Sequence, residues 1–317
     1  MKNNFCIHIQ TIPAHYRYVY KLLMSLEQLV ENILHIPIYI VLDSRKEEEE
    51  FLKGVRSNLN LNTLSMENIV PNANLEYIED LDNVLKPKNQ LSVFWGAGEH
   101  RDYVALKRTY SLLRLQNEGF KNVWCMDSES LVLKSFDILE FLNENSLKPT
   151  LLIGTGIKGV RYHHLFKNLF GWSLKKHDPI YNINIRMNDF WFIDTNLYKN
   201  MIDYLQKVHE KPVSYFINGS EQSLYEYFTF KSHQDKKIDT SLSIITGDMH
   251  DNQLFDITTN NDKIDLSKFS TFMNDHYFNK TLSYRGDYIN RLNSTERGQE
   301  LFQKLNIKVA VSNYQGY

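Results

Sequence analysis

The chain has 317 residues, of which 42% are hydrophobic and 23% charged, which is ordinary for a soluble globular protein and enough for one large α/β domain or two intimate halves. Its formal net charge of −2 excludes the global basic field by which proteins gather nucleic acid, so no nucleic-acid partner is expected. The sequence shows no secretion signal and no run near the roughly 18 apolar residues of a membrane span, and both cysteines lie in apolar runs, so a reducing cytoplasm is expected.

The first elements follow the order strand, helix, strand. Residues 5–10 form an apolar run that predicts an opening strand. Apolar side chains then recur at three- and four-residue steps from Tyr16 to Val30, which predicts an amphipathic helix. A β-branched run over residues 37–42 predicts a second strand that ends at Asp43. This order is typical of the start of a parallel sheet.

The rest of the first half mixes irregular and regular patterns. The charged run from Glu47 to Glu50 predicts a solvated helix face. Residues 57–90 are polar and rich in asparagine, and we expect irregular structure there with one short strand over residues 75–78. A helix is predicted over residues 102–118, a buried strand over 122–126, and a resumed apolar run over 131–133.

The second half begins with a predicted strand over residues 150–153. Residues 157–188 are rich in His, Lys, Arg, Tyr and Trp and have no clean period. Further elements are predicted as a strand over 190–194, helices over 197–208 and 220–230, and short strands over 243–246 and 307–311. No repeat or flexible linker separates the halves, so we predict a single compact α/β body with a soft division near residue 150.

An acidic segment, Asp127-Ser128-Glu129, directly follows the strand predicted over residues 122–126. In open α/β sheets, ligands gather outside the carboxyl ends of the strands. Two carboxylates two residues apart in an extended segment can point to one side, where their oxygens suit a hard divalent cation that neutralises a diphosphate. The alternative is that Asp127 and Glu129 only end the strand and cap a turn.

The acidic segment and its setting resemble those of a known family. An apolar strand followed by Asp-x-Asp, or a close variant, is the hallmark of GT-A glycosyltransferases, and the chain resembles it over residues 124–133 (WCMDSESLVL). It also resembles, over residues 103–108 (YVALKR), the preceding helix of bacterial surface-polysaccharide transferases. The likeness is sharp over residues 101–136 and loose over 5–160. Glu129 stands where the motif has Asp, which adds one methylene to that ligand.

The resemblance implies a GT-A fold, which is a Rossmann-like mixed sheet flanked by helices. Residues 1–150 would form the nucleotide-sugar-binding half and residues 151–317 the acceptor-binding half. The implied activity is metal-dependent transfer of a sugar from a nucleotide donor, a UDP-sugar, to a glycan or lipid-linked glycan acceptor, with Mn²⁺ or Mg²⁺ as the cofactor. The implied setting is capsule or lipooligosaccharide synthesis in the cytoplasm, with peripheral contact at the inner face of the cytoplasmic membrane.

Donor contacts are implied at the ends of the first two strands. Nucleobase and ribose would be held by His8, Gln10 and Thr11 from the first strand, and by Asp43 from the second. Two alternatives stay open, namely that His8 is a hydrogen-bonded core histidine and that Asp43 is a turn residue at a strand end.

Contacts to the diphosphate are implied farther along the chain. Lys107 or Arg108 would offset phosphate charge, although a solvated helix face is the commoner place for such residues. Asp127 and Ser128 add donor contacts from the acidic segment. Arg285 would grip the diphosphate from the second half.

The remaining implied roles are metal binding and catalysis. The metal shell would consist of Asp127, Glu129 and a late histidine, His276. Glu221 lies in the first turn of the helix predicted over residues 220–230 and resembles the carboxylate that GT-A enzymes place beneath the acceptor. The helix dipole also favours an acidic residue there, so capping remains the alternative. The sequence does not distinguish inversion from retention.

Two other classes of protein remain open. A sugar nucleotidylyltransferase shares the α/β start, but it would carry a Gly-rich loop with Arg and Lys where this chain has Thr11-Ile12-Pro13. A non-catalytic glycan- or nucleotide-binding protein could use the same fold. The motifs of P-loop phosphotransfer, NAD chemistry and serine hydrolysis are missing from the sequence.

Overall fold

The computed structural model describes residues 4–73, 100–132, 135–144, 150–154, 163–171, 191–217, 221–234, 241–247, 281–284 and 309–312. The strands are β1 Phe5–Gln10, β2 Val30–Glu31, β3 Ile38–Leu42, β4 Leu61–Ser65, β5 Asn122–Asp127, β6 Leu131–Val132, β7 Phe136–Asp137, β8 Thr150–Gly154, β9 Trp191–Asp194, β10 Ser241–Gly247, β11 Thr281–Tyr284 and β12 Val309–Ser312. The α-helices are α1 Tyr16–Leu29, α2 Arg45–Gly54, α3 Met66–Ile69, α4 His100–Asn117, α5 Ile138–Glu144, α6 His163–Phe170, α7 Thr195–His209 and α8 Glu221–Gln234.

One sheet contains β1, β3 and β5, which are three of the strands that the sequence predicts for the first half. Within the described ranges its order is β4-β3-β1-β5-β9, and every pair is parallel except β5 with β9. Strand β1 is buried along its whole length and β5 up to its last residue, which explains their continuous apolar runs. The register pairs Gln10 with Val41 on one side and with Asp127 on the other. The carboxyl ends of β1, β3 and β5 therefore meet at one edge.

A second sheet has the order β6-β12-β11-β10-β8 among the described residues, parallel throughout except for β6. The fold class predicted from the sequence, α/β with a mixed sheet flanked by helices, is confirmed. No helix in the described ranges has the length and apolar character needed to cross a bilayer.

Helices α1 and α4 pack on the first sheet in different ways. Helix α1 buries one face, through residues such as Val19, Leu22 and Leu26, as its three- and four-residue spacing predicts. Helix α4 is buried without a break over residues 105–113, so it is a central helix rather than a surface one. Its polar side chains must therefore find buried partners, because an unpaired polar group away from water is costly.

Two expectations for the first half need correction. The described part of residues 57–90 is not irregular, because it contains β4 and α3; β4 is a half-buried edge strand whose polar sequence hides its pairing with β3. The charged run lies on α2 as expected, but Glu47 is half-buried and accepts the backbone N–H of Asp43 at 3.0 Å. The strand predicted over residues 75–78 lies outside the described residues.

Elements from beyond residue 150 join the first sheet. Strand β9 pairs with β5 from Asn122 opposite Asp194 to Cys125 opposite Trp191. Helix α7 follows at once, and its N-cap is Asp194, whose side chain accepts the backbone N–H of Leu197 at 3.0 Å. The chain's second half thus completes the sheet that the first half begins.

Candidate active site

A pocket of about 300 Å³ lies at the carboxyl ends of β1 and β5. Its walls come from the end of β1 and the following turn, from α4, from the segment after β5, and from the start of α8. The residues predicted from the sequence that line it are Gln10, Thr11, Lys107, Arg108, Asp127, Ser128, Glu129 and Glu221. Side chains far apart in sequence therefore converge where an open α/β sheet places its ligands.

Arg108 lies at the centre of the pocket's charged network. Its Nη1 donates to Oε1 of Glu221 at 2.6 Å, and its Nη2 donates to Oδ1 of Asp127 at 2.8 Å. With the amide of Gln10 oriented so that its oxygen faces the guanidinium, that oxygen accepts from Nη2 at 2.6 Å. Burial alone would lower the pKa of Arg108, but the carboxylates of Glu221 and Asp127 outweigh it and raise that pKa above its ordinary value.

The three charged groups of this network differ in their access to solvent. The side chains of Arg108 and Glu221 are 5% and 2% exposed, whereas that of Asp127 is 44% exposed. Arg108 and Glu221 therefore form a buried ion pair, in which removal of one partner typically costs about 3–5 kcal/mol because the other charge stays buried and unpaired. The bond to Asp127 lies at the pocket surface, where solvent screening weakens it.

Lys107 fixes the wall between β1 and β3. Its Nζ donates to the carbonyl oxygen of Thr11 at 2.7 Å and also to Oδ1 of Asp43. The hydroxyl of Tyr103 donates to the same oxygen of Asp43 at 2.5 Å. Burial lowers the pKa of Lys107 below its ordinary value, against the opposing effect of Asp43. Asp43 itself is not among the described residues that line the pocket, and it supports the wall from behind.

The acidic segment forms a turn, which corrects the expectation of an extended segment. The backbone N–H of Ser130 donates to the carbonyl oxygen of Asp127 at 3.1 Å and closes that turn. Asp127 and Glu129 nevertheless both line the pocket. The hydroxyl of Ser128 is hydrogen-bonded to Nδ1 of His15 at 3.0 Å, and Nε2 of His15 lies 3.9 Å from Oε1 of Glu129.

The two carboxylates of the acidic segment fit a hard divalent cation that needs few protein ligands. The described ranges contain no group of three or more His, Cys, Asp or Glu side chains that could hold a metal ion. Two carboxylates, Asp127 and Glu129, suit a Mg²⁺-like ion, which commonly binds through one or two carboxylates and takes its other ligands from water and substrate phosphates. The predicted metal ligand His276 and the predicted phosphate contact Arg285 lie outside the described residues.

His8 lies in the core rather than in the pocket, which corrects its predicted place at the donor site. Its Nε2 is 2.7 Å from Oγ of Ser111, and its side chain is fully buried because β1 is covered on both faces. Burial, with a smaller effect of the nearby charge of Arg108, lowers the pKa of His8 to about 3. The open alternative of a hydrogen-bonded core histidine describes what the structure shows.

Glu221 is the first residue of α8 and lines the pocket. Its Oε1 is held by Arg108, whereas its Oε2 has no hydrogen-bond partner among the residues that the structure describes. A buried carboxylate oxygen beside a pocket is suited to accept a proton or a hydrogen bond from a bound ligand.

Three residues of the pocket have roles that the sequence analysis did not assign to them. His15 follows the end of β1, where the carboxyl-end rule places ligands. Tyr103 lies in the helix predicted over residues 102–118, and its hydroxyl anchors Asp43. Arg108 was weighed as a phosphate contact or a solvated residue, and its buried partner Glu221 is too distant in sequence to be predicted.

No protein-family model and no curated protein sequence matches the chain. Mouse xyloside xylosyltransferase 1 in its apo form is similar in structure at 12% identity and a TM-score of 0.46, over 80% of this chain and 91% of that one. Core-mannan synthase A from Aspergillus fumigatus, in its Mn/GDP form, has 9% identity and a TM-score of 0.41, over 72% of this chain and 66% of that one. S. aureus TarS 1-349 in complex with UDP-GlcNAc has 16% identity and a TM-score of 0.37, over 71% of this chain and 53% of that one. At these identities and TM-scores, the similarity assigns no activity to this chain.

Proposed function

We propose that the chain is a glycosyltransferase that uses a nucleotide-sugar donor and a divalent cation. The observation that carries the proposal is the convergence of Asp127, Glu129 and Glu221 on one pocket at the carboxyl ends of β1 and β5. The family resemblance predicts the first two as cation ligands and the third as the catalytic carboxylate. A cation site for the donor and a carboxylate that can accept the acceptor's proton together suit sugar transfer.

The charges of the pocket support a role for the cation. Two lining cations, Lys107 and Arg108, face three lining carboxylates, Asp127, Glu129 and Glu221. Both cations already bind carboxylates, Lys107 on Asp43 and Arg108 on two of the three. A diphosphate added here would meet surplus negative charge among the described residues, and a dication bound by Asp127 and Glu129 would offset it.

The chain's own groups take distinct parts in this scheme. Arg108 holds Oε1 of Glu221, so Oε2 is the oxygen that would accept the proton of an acceptor hydroxyl. Gln10 and Lys107, which the resemblance implies as donor contacts, line the pocket and also hold Arg108 and the strand ends in place. When bound, the cation would stabilise the negative charge that grows on the departing nucleoside diphosphate.

The finer parts of the proposal follow the sequence resemblance. The donor would be a UDP-sugar, and the acceptor a glycan or lipid-linked glycan of a bacterial surface polysaccharide. The enzyme would act in the cytoplasm with peripheral contact at the inner membrane face. Residues 1–150 would bind the nucleotide, and residues 151–317 would supply most of the acceptor site.

The test is hydrolysis and transfer from UDP- and GDP-sugars with Mn²⁺, with Mg²⁺ and with EDTA. Asp127→Asn should lower metal-dependent turnover by at least roughly 10²-fold, a loss typical for one charge-stabilising group in an active site. The matched control is Asp203→Asn, since Asp203 is exposed on α7 and paired with Lys199. A turnover rate that is unchanged by EDTA and by Asp127→Asn would contradict the proposal.

Two further assays separate the alternatives. UDP binding by calorimetry without turnover on any donor, across a panel of glycan acceptors, would favour a non-catalytic nucleotide-binding protein. Formation of UTP from a UDP-sugar and pyrophosphate would favour a nucleotidylyltransferase.

A further inference from the structure

Arg108 binds the proposed cation ligand and the proposed catalytic carboxylate through the two arms of one guanidinium. The arm to Glu221 lies between side chains that are at most 5% exposed, and the arm to Asp127 reaches a carboxylate that is 44% exposed. Breaking the inner arm would leave a buried charge unpaired, whereas the outer carboxylate can be solvated. The hydrogen bond from Arg108 to Asp127 is therefore the one that another ligand can replace.

The oxygen that Arg108 holds belongs to the carboxylate that a cation would use. Nη2 lies 2.8 Å from Oδ1 of Asp127, so a dication bound to Asp127 would come close to a guanidinium of the same sign. Nη2 also has a second acceptor, the amide oxygen of Gln10, at 2.6 Å. The guanidinium thus retains a hydrogen-bond acceptor when Asp127 leaves it.

We propose that Arg108 competes with the cation for Asp127, so that the free protein binds the cation weakly until a nucleoside diphosphate arrives. The diphosphate offsets the charge of the guanidinium and of the cation together, and Nη2 turns from Asp127 to a phosphate oxygen while Nη1 stays on Glu221. Arg108 then makes cation and nucleotide binding mutually dependent. The inference rests on the proposed function for the identity of the nucleotide.

The test measures Mn²⁺ affinity by calorimetry, with and without UDP, so activity is not the readout. The comparison is E221Q against R108Q/E221Q, because R108Q alone would leave Glu221 buried and unpaired, whereas two glutamines form a neutral pair. We expect R108Q/E221Q to bind Mn²⁺ without nucleotide about tenfold more tightly than E221Q, within the range usual for coupled sites. The gain in Mn²⁺ affinity on adding UDP should shrink in the double variant.

Two further variants keep the test decisive. The control R114Q/E118Q removes an exposed ion pair near the end of α4, in which Nε of Arg114 lies 2.8 Å from Oε1 of Glu118. It should leave the Mn²⁺ affinity unchanged. Gln10→Leu removes the second acceptor of Nη2, so it should weaken Mn²⁺ binding several-fold without altering a charge. This variant tests the inference even if R108Q/E221Q fails to fold.

The outcomes distinguish failure of the inference from failure of the proposed function. Equal Mn²⁺ affinities for E221Q and R108Q/E221Q, or an unchanged Mn²⁺ affinity in Gln10→Leu, would overturn the proposed competition. The proposed function would still stand if the wild type showed metal-dependent turnover. Mn²⁺ binding that survives Asp127→Asn would place the cation elsewhere and overturn both.

Discussion

The buried histidine of β1 makes a quantitative prediction about acid stability. The hydroxyl of Ser111 donates to the carbonyl oxygen of Arg108 at 2.9 Å, so the 2.7 Å contact between His8 and Ser111 requires a proton on Nε2 of His8. Protonation would add a second N–H and a positive charge inside the core, near Arg108 and Lys107. Burial first, and these cations second, lower the pKa of His8 from 6.5 to about 3.

The sign and size of the effect follow from linkage. At a pH above 6.5, His8 is neutral in both the folded and the unfolded chain and costs no stability. As the pH falls below 6.5, the unfolded chain takes up a proton that the folded chain refuses until about pH 3, so stability is lost across that window. Each pH unit below 6.5 costs about 1.4 kcal/mol of stability, so lowering the pH from 6.5 to about 5 costs about 2 kcal/mol, and the interval from about pH 8 to 6.5 adds almost nothing.

The assay is chemical denaturation of the wild type and of His8→Gln at about pH 8 and about pH 5. The glutamine can still donate to Ser111 but does not titrate, so the stability difference between the two proteins should shift in favour of the variant by about 2 kcal/mol on acidification. His35→Gln, which removes an exposed imidazole, is the matched control. Equal pH dependence for wild type and His8→Gln would refute the reasoning.

Three other predictions concern the proposed catalytic carboxylate, the two cysteines and the N-cap of α7. Glu221→Gln should lower kcat for sugar transfer by roughly 10²–10⁴-fold while UDP affinity measured by calorimetry stays the same, and an equal loss of UDP affinity would argue for donor binding instead of proton transfer. Cys6 and Cys125 should resist a thiol reagent in the native protein and react after unfolding, because burial raises the pKa of both thiols; rapid native labelling would contradict their placement. Asp194→Ala should cost about 1 kcal/mol in the free energy of unfolding, since the side chain caps α7 at the N–H of Leu197; an unchanged denaturation midpoint would rule the cap out.

Sequence reasoning found the elements that can be identified from their own apolar pattern, without knowledge of tertiary contacts. Strands β1, β3 and β5 are buried apolar runs of the kind that parallel sheets require, and α1 has the spacing of a helix with one buried face. Strand β4, with the sequence LNTLS, was missed because an edge strand is half-buried and its polar residues carry no clear period. Its place depends on pairing with β3, which is a tertiary contact.

The site was predictable in position and less so in detail. The carboxyl-end rule led to Asp127 and Glu129 because they directly follow a buried strand. Arg108 could not be placed, since its burial depends on a carboxylate that joins it only in the folded chain. Helix α4 is buried over residues 105–113, and no local signal separates a buried cation with a distant partner from a solvated one.

The antiparallel strand at the sheet edge has a consequence for truncated forms of the chain. Without β9, strand β5 would present the unpaired backbone of an apolar run, VWCM, along an open edge of the sheet. Such an edge is a template for pairing between molecules, and natural sheets cover or charge it. A fragment that stops at residue 150 should therefore self-associate, and during synthesis β5 should stay unprotected until Trp191–Asp194 has left the ribosome. The first half of the chain thus depends on the second half to remain soluble.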